Sequence, residues 1–395
     1  MCKAAQQVKI IYIIKGGATL DIKRVIKENI EYIKNLRLRL HDNAELSGEE
    51  FKTQQLILNF FKDLDISTHT LAETGVVATL NSSAECIAVR ADMDALPVKG
   101  VSHVCGHDYH MSVAAGTALV LKKLGFDKCV KFIFQPAEEA EGGALPMIKE
   151  GVLENPRVTN MIGFHVWPNV KAGTIEVASG ASMGSVDGFD ITFKGKGGHA
   201  AMPHLCKNPL YPAMDLIQTM NFKSRIETNP LDSHVITFSS MQCGNAPNVI
   251  AEDCRVLGTV RTFNKDLRNK IYLDIKAMSL LSAEKYGCSS EFNYEFQYPP
   301  LISDEAFTKR FIDITKALIG DENVLPLEKT FAAEDFSFFA ERVPSVHFRL
   351  GIAEDDKGLH PLHSPHFDAS DNAIFYGIYI ITNFILSITD KNLAI

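Results

Sequence analysis

The sequence has no surplus of basic residues, no regular cysteine framework, no internal repeat and no low-complexity stretch. Each absence narrows the reading. Lys and Arg total 40 against 48 Asp and Glu, and the resulting net charge of −8 argues against nucleic acid or an anionic membrane surface as partner. Eight cysteines, at 2, 86, 105, 129, 206, 243, 254 and 288, are scattered without framework spacing, so reduced thiols and a cytoplasmic location are expected. The apolar VKIIYIIK at 8–15 is far too short to span a bilayer, and no clean small-residue cleavage pattern follows it. Residues 1–20 therefore read as an irregular leader rather than a secretory signal. A content of 46% hydrophobic and 22% charged residues is that of a soluble globular protein, and 395 residues are too many for one ordinary core, so two domains are expected.

Periodicity supplies the elements. Ile22, Val25, Ile26, Ile30, Ile33 and Leu36 recur at helical spacing over 21–41. Ser47 followed by Glu50 reads as a capping box for a helix running to about Leu64. GVVATL, CIAVRADMDAL, CVKFIFQPAEE and MIGFHVWP read as strands, with helices at Met111–Leu124 and in ALPMIKEGVL. This βαβα alternation predicts a mixed, mostly parallel sheet sandwiched by helices. Near Gly184 the order changes to β-α-β-β-α-β, the ferredoxin-like plan, and near Tyr298 it changes back. The expected division is a larger domain of residues 1–183 and 296–395 with an inserted α+β domain at 184–295.

The candidate chemistry gathers in SHVCGHDYH and at strand ends. Cys105 and His107 are two apart, and thiolate and imidazole are strong ligands for zinc-like ions. Asp92 and Asp94 follow CIAVR, Glu138 and Glu139 follow KFIFQPA, His165 follows MIGF, and His363 lies in a loop before the last helix. In open parallel sheets, sites lie beyond the carboxyl ends of strands. Adjacent carboxylates on an extended segment point apart, so one of Glu138 and Glu139 can hold a metal while the other holds a water. The apolar FIF and Pro136 ahead of them favour a buried strand end over a solvated acidic face.

These segments, with LHDNAELSGEEFKT, RADMDALPV, CGHDYH, FQPAEEAEGGA, GFHVWP, GKGGHAAMPH, NVIAED, GTVRTF, AEDFSFF and LHSPHFD in order from about 40 to 370, resemble the M20 metallopeptidase family, within it the amidohydrolase branch. That branch includes N-acetyl-diaminopimelate deacetylases, hippurate hydrolases and indole-acetyl-amino-acid hydrolases. The resemblance implies a zinc-exopeptidase-like fold and two divalent metal ions (Zn, Mn, Co or Ni) held by Cys105, His107, Glu139, His165 and His363. It implies Glu138 as general base, Asp94 as the carboxylate that orients a metal-binding histidine (here His107), and His199 as a residue that polarises the substrate carbonyl. Asn248 and Arg261 match substrate-facing positions, and the inserted domain matches a lid through which the family forms homodimers. The implied reaction is hydrolysis of N-acyl amino acids or related small amides; peptidase action on small peptides and a non-catalytic binding protein on the same fold are the competing readings.

The chain departs from the family's pattern in three places. Only VKGVSHV separates ALP from the CGH motif, Ala140 and Glu141 stand where the family carries glycines, and Tyr109 fills a place usually small. His103, His110, His204 and His366 are expected to be structural or surface residues, Cys206 and Cys243 buried small hydrophobes, and Trp167 packing beneath the metal loop.

Overall fold

The computed structural model describes residues 12–13, 19–140 and 142–389. Of the expected leader, only Tyr12–Ile13 and Thr19–Leu20, paired antiparallel, fall within the described residues, and Glu141 lies outside them. The chain divides into two compact units, one of Met1–Gly180, Ile302–Glu328 and Phe338–Ile395, the other of Ala181–Leu301 and Lys329–Ser337.

The larger unit is built on an eight-stranded sheet in the order Val324–Pro326, Ile175–Val177, Ser345–Ala353, Arg157–Lys171, Glu85–Asp92, Val130–Gln135, Gly75–Leu80, Ser67–Leu71. Its four central strands run parallel. Three are buried along nearly their whole length and Arg157–Lys171 is buried from Met161 to Val166, with Val89, Phe132, Phe134, Ile162, Phe164 and Phe348 at most 1% exposed, as expected of parallel strands covered on both faces. Helices Ile22–Asp42, Phe51–Asp63, His107–Lys123, Glu305–Ile319 and Asn372–Thr389 share this core. The last is long and apolar enough to cross a membrane by length and composition, yet Ile378, Ile380, Ile381, Phe384 and Ile385 are fully buried in the unit. It is a core helix.

Local expectations fail at three points. The helix expected from Met111 begins at His107, because Gly106 takes a left-handed conformation (φ +82°) and turns the chain into it directly. Ser47 caps nothing: helix Phe51–Asp63 has no side-chain cap, and the Ser47 hydroxyl donates instead to Asp94 Oδ2 at 2.6 Å. His165 is not at a strand end, since its strand continues to Lys171 by pairing with Ala353 past an irregularity.

The smaller unit is a four-stranded antiparallel sheet, ordered His234–Cys243, Asp253–Thr262, Asp187–Lys194, Ser289–Phe296, with helices Leu210–Glu227 and Lys265–Lys285. Burial alternates along Asp187–Lys194, and Phe189, Ile191 and Phe193 pack with Leu216, Met220, Val256 and Ile275. First and third strands at the centre are the ferredoxin-like arrangement. Cys254 is buried here, but Cys206 and Cys243 are only partly so, contrary to expectation: each lies at an element's end, Cys243 packing against the rim of this core.

Candidate metal centre

Four segments of the larger unit converge. The loop before helix His107–Lys123 carries Cys105, and the helix opens on His107. The turn after Val130–Gln135 carries Glu138 and Glu139. The strand Arg157–Lys171 carries His165. His363, at φ +64°, is drawn in by its N–H bond to the Val104 carbonyl at 2.9 Å. Cys105 Sγ lies 3.4 Å from His165 Nε2 and 3.2 Å from His363 Nε2, and His363 Nε2 lies 3.1 Å from Glu139 Oε1. His107 Nε2 is 3.9 Å from the same Glu139 oxygen. Ligand atoms of Cys105, His107 and His165 all lie within 4.8 Å of one another, and so do those of Cys105, Glu139 and His363. Cys105 belongs to both groups. Glu138 forms a further group with His107 and Glu139.

Hydrogen bonds select the imidazole faces. His107 Nδ1 donates to the Asp94 carbonyl at 2.9 Å, with Asp94 Oδ1 at 3.3 Å, which leaves Nε2 buried without a hydrogen-bond partner. His165 Nδ1 donates to the Val166 carbonyl at 2.7 Å, so its Nε2 turns a lone pair toward Cys105. Such second contacts fix tautomer and ring orientation. Asp94 does more than face His107, since its Oδ2 also accepts the Glu139 N–H at 2.9 Å.

Beneath these groups lies a polar layer that local sequence leaves hidden. His110 is fully buried, donates from Nδ1 to Asp92 Oδ1 at 2.5 Å and accepts the Val166 N–H at Nε2 at 2.8 Å. Its ring stacks on His107 at 5.3 Å and meets that of His165 edge-on at 4.6 Å. Arg90 bonds Asp92 at 2.7 Å and Gln135 at 2.9 Å. The only sequence signal for it is the alternation of Arg90, Asp92 and Asp94 at and just past the end of one strand. Trp167 is edge-on to His165 at 6.0 Å and carries the Arg349 guanidinium 3.7 Å above its ring. His103 is buried, whereas His204 and His366 are exposed.

The electrostatics favour positive charge at this cluster. Burial opposes charge on His107, but Asp92, Asp94 and Glu139 outweigh it and lift its pKa to about 10. Burial, Glu139 and Glu138 push the Cys105 thiol well above its ordinary value. Burial and His110 push His165 well below its own. In the absence of metal, a proton on His107 partly balances the carboxylates and the thiol stays neutral. A dication reverses both preferences, since a coordinated thiol is deprotonated outright. The orphaned His107 Nε2, the Glu139 oxygen beside it and the Cys–His donor set fit a divalent metal ion.

In the smaller unit, Gly198–His199 pairs antiparallel with Val249–Ile250, which brings His199 beside Asn248, whose carbonyl accepts the Ala200 N–H at 3.1 Å. His199 is exposed, and its Nδ1 accepts the Ala201 N–H at 3.1 Å, which places its proton on Nε2. Arg261 lies on a different sheet from this pair, on strand Asp253–Thr262, and donates to the Phe331 carbonyl at 2.9 Å.

Known proteins resemble this chain over most of its length. The chain is 32% identical over 375 residues to the N-acetyl-L-cysteine deacetylase of Bacillus subtilis, covering 90% of this chain and 88% of that protein. It is 30% identical over 378 residues to thermostable carboxypeptidase 2 of Saccharolobus solfataricus, covering 90% and 95%. Among solved structures it resembles the YXEP protein of Bacillus subtilis, described as a dinuclear metal binding peptidase from the M20 family, with a TM-score of 0.78, 28% identity and coverage of 92% and 99%. The family match spans residues 88–387, and so takes in all five clustered donors and Glu138; the chain is a hydrolase of peptidase family M20/M25/M40.

Proposed function

We propose that this hydrolase is a two-metal amidohydrolase that cleaves N-acyl, N-acetyl-like amino acids, with Glu138 as general base. The observation that carries the reading is the meeting of Cys105, His107, Glu139, His165 and His363 around one volume beside Glu138. Divalent ions held by those five residues would supply Lewis acidity, making water a nucleophile near neutral pH and polarising the scissile carbonyl. Glu138 is 8% exposed and so reachable by a water, yet it is screened from bulk solvent. It takes the proton from the attacking water and delivers it to the departing nitrogen as the C–N bond breaks, releasing a carboxylate and an amine. Asp94 holds both the His107 ring and the Glu139 backbone in place. For the smaller unit we propose a lid and homodimer role, with Asn248 and Arg261 facing substrate and His199 donating from Nε2 to the oxyanion.

Glu138→Gln tests the base. It should retain metal content by elemental analysis but lose about 10²–10⁴-fold in kcat, with little change in KM. Near-parental turnover on the best amide substrate would sink the assignment. The relative named as a carboxypeptidase keeps peptide hydrolysis as a second reading. Acetate release from N-acetyl amino acids, set against amino-acid release from dipeptides, separates the two.

A further inference from the structure

We infer that Glu50 is a positioning residue for Glu138, acting through the backbone of Ala137; this rests on the assignment of Glu138 as base. Glu50 is 0% exposed and belongs to no ion pair among the described residues. Its Oε1 accepts two backbone N–H groups, from Gly48 and Ala137, each at 2.9 Å, and its Oε2 accepts the Thr74 hydroxyl at 2.6 Å. A buried carboxylate is retained at a cost in desolvation, and here it spends an acceptor on the residue immediately before the glutamate pair.

Ala137 needs such an anchor. It stands at φ +53°, a left-handed conformation that an alanine holds only where its surroundings over-determine it. Two contacts do so. Glu50 takes its N–H, and its carbonyl accepts the Gly142 N–H at 2.9 Å. On the other side of Glu138, the Glu139 N–H is held by Asp94 Oδ2, which is itself held by Ser47. The base is thus flanked at i−1 and i+1 by backbone N–H groups bonded to buried carboxylates. Both are steadied from one short loop, since Ser47 and Glu50 are three residues apart. That loop holds the turn by its backbone. Without Glu50, the φ of Ala137 relaxes toward the ordinary negative range and rotates the following peptide. Displacements on the order of 1 Å at a reacting group lower rates about 10²-fold.

The test compares Glu50→Asp, Glu50→Ala and Glu50→Gln in the metal-reconstituted full chain. Asp is one methylene too short to reach Ala137. Gln keeps an oxygen for the two N–H groups, while the Thr74 hydroxyl can turn to accept from its amide. Glu50→Asp and Glu50→Ala should lose about 10²-fold in kcat with KM within about threefold, and Glu50→Gln should restore kcat to within about threefold of the parent. The Ala137 amide, followed by hydrogen exchange in metal-free protein, should be protected in the parent and Glu50→Gln and exposed in Glu50→Asp. In a Glu138→Gln background, Glu50→Asp should subtract less than about threefold more, because the two act as one unit. If Glu138→Gln is inactive while Glu50→Asp keeps parental kcat, or if the two losses multiply in full, the brace is wrong and the base stands. If Glu138→Gln is active, both fall. Should neither Glu50→Asp nor Glu50→Ala fold, the parent and Glu50→Gln decide it: a slowly exchanging Ala137 amide in both, with kcat of Glu50→Gln within about threefold of the parent, upholds the inference, and rapid exchange of that amide in the parent overturns it.

Discussion

Gly106→Ala places a methyl group between two of the clustered donors, and its effect can be worked from the structure. Gly106 has φ +82°, and a Cβ there would lie 2.3 Å from Val166 Cγ2 and 3.3 Å from Phe367 Cζ. Gly151 is the matched control, with φ +88°, where an added Cβ would meet nothing within 4 Å. Both substitutions incur left-handed strain of about 1–2 kcal/mol, offset by about 0.4–1 kcal/mol from the reduced entropy of the unfolded chain. Gly106→Ala also overpacks. Val166 is 0% exposed, β-branched and fixed in a central strand, so it cannot swing aside, and crowding of this kind costs about 1–3 kcal/mol. Net losses of about 1 kcal/mol at Gly151 and about 2–4 kcal/mol at Gly106 follow. Urea unfolding of metal-free protein reads the difference, with Trp167, the single tryptophan, reporting from the same unit. Zinc titration should show weakened binding for Gly106→Ala alone, because the clash lies between Cys105 and His107. Equal destabilisation by the two substitutions, or parental zinc affinity in Gly106→Ala, would refute the reasoning.

Two further outcomes follow from groups outside the cluster. The hydrogen bond from His41 to Asp108 at 3.0 Å raises the His41 pKa, with burial and Arg37 opposing. A histidine raised in the folded state stabilises below its ordinary value of about 6.5 and loses that contribution as pH climbs through the folded value, so the Tm gap between the parent and His41→Gln should be widest in mild acid and close in mild base. Burial pushes the Cys86 and Cys254 thiols up to about 12, whereas Cys206 is only partly covered. An alkylating reagent near neutral pH should therefore label Cys206 well before either, as peptide mapping would show.

What is legible in the sequence is whatever repeats locally. The strands Gly75–Leu80 and Val130–Gln135 are mostly apolar and β-branched or aromatic, and helix Ile22–Asp42 carries a clean 3.6-residue stripe, so burial and type follow from side chains a few positions apart. The donors are legible for another reason: Cys, His and paired Glu are rare enough together that their types and spacing point to chemistry before any contact is known. What stays hidden is the long-range partner. His110 is structural, as expected, but its neighbours in sequence do not show Asp92 and the Val166 amide closing on its two nitrogens.

Ser47 and Glu50 make the same point more sharply. Three residues apart and ahead of an apolar run, they have the spacing of a capping box, and the rule that identifies one weighs only the backbone N–H groups of the next turn. In the fold, the Ser47 hydroxyl goes to Asp94, 47 residues away, and the Glu50 carboxylate goes to Ala137, 87 residues away. Helix Phe51–Asp63 forms without either side chain as cap, held instead by Ile57, Phe60 and Phe61 in the core. A polar side chain with more than one set of donors within reach settles on those it can satisfy while buried, because an unmet buried carboxylate costs far more than an uncapped helix end that water can reach. Local spacing cannot rank those choices, and here the more distant partners are the ones that hold the glutamate turn.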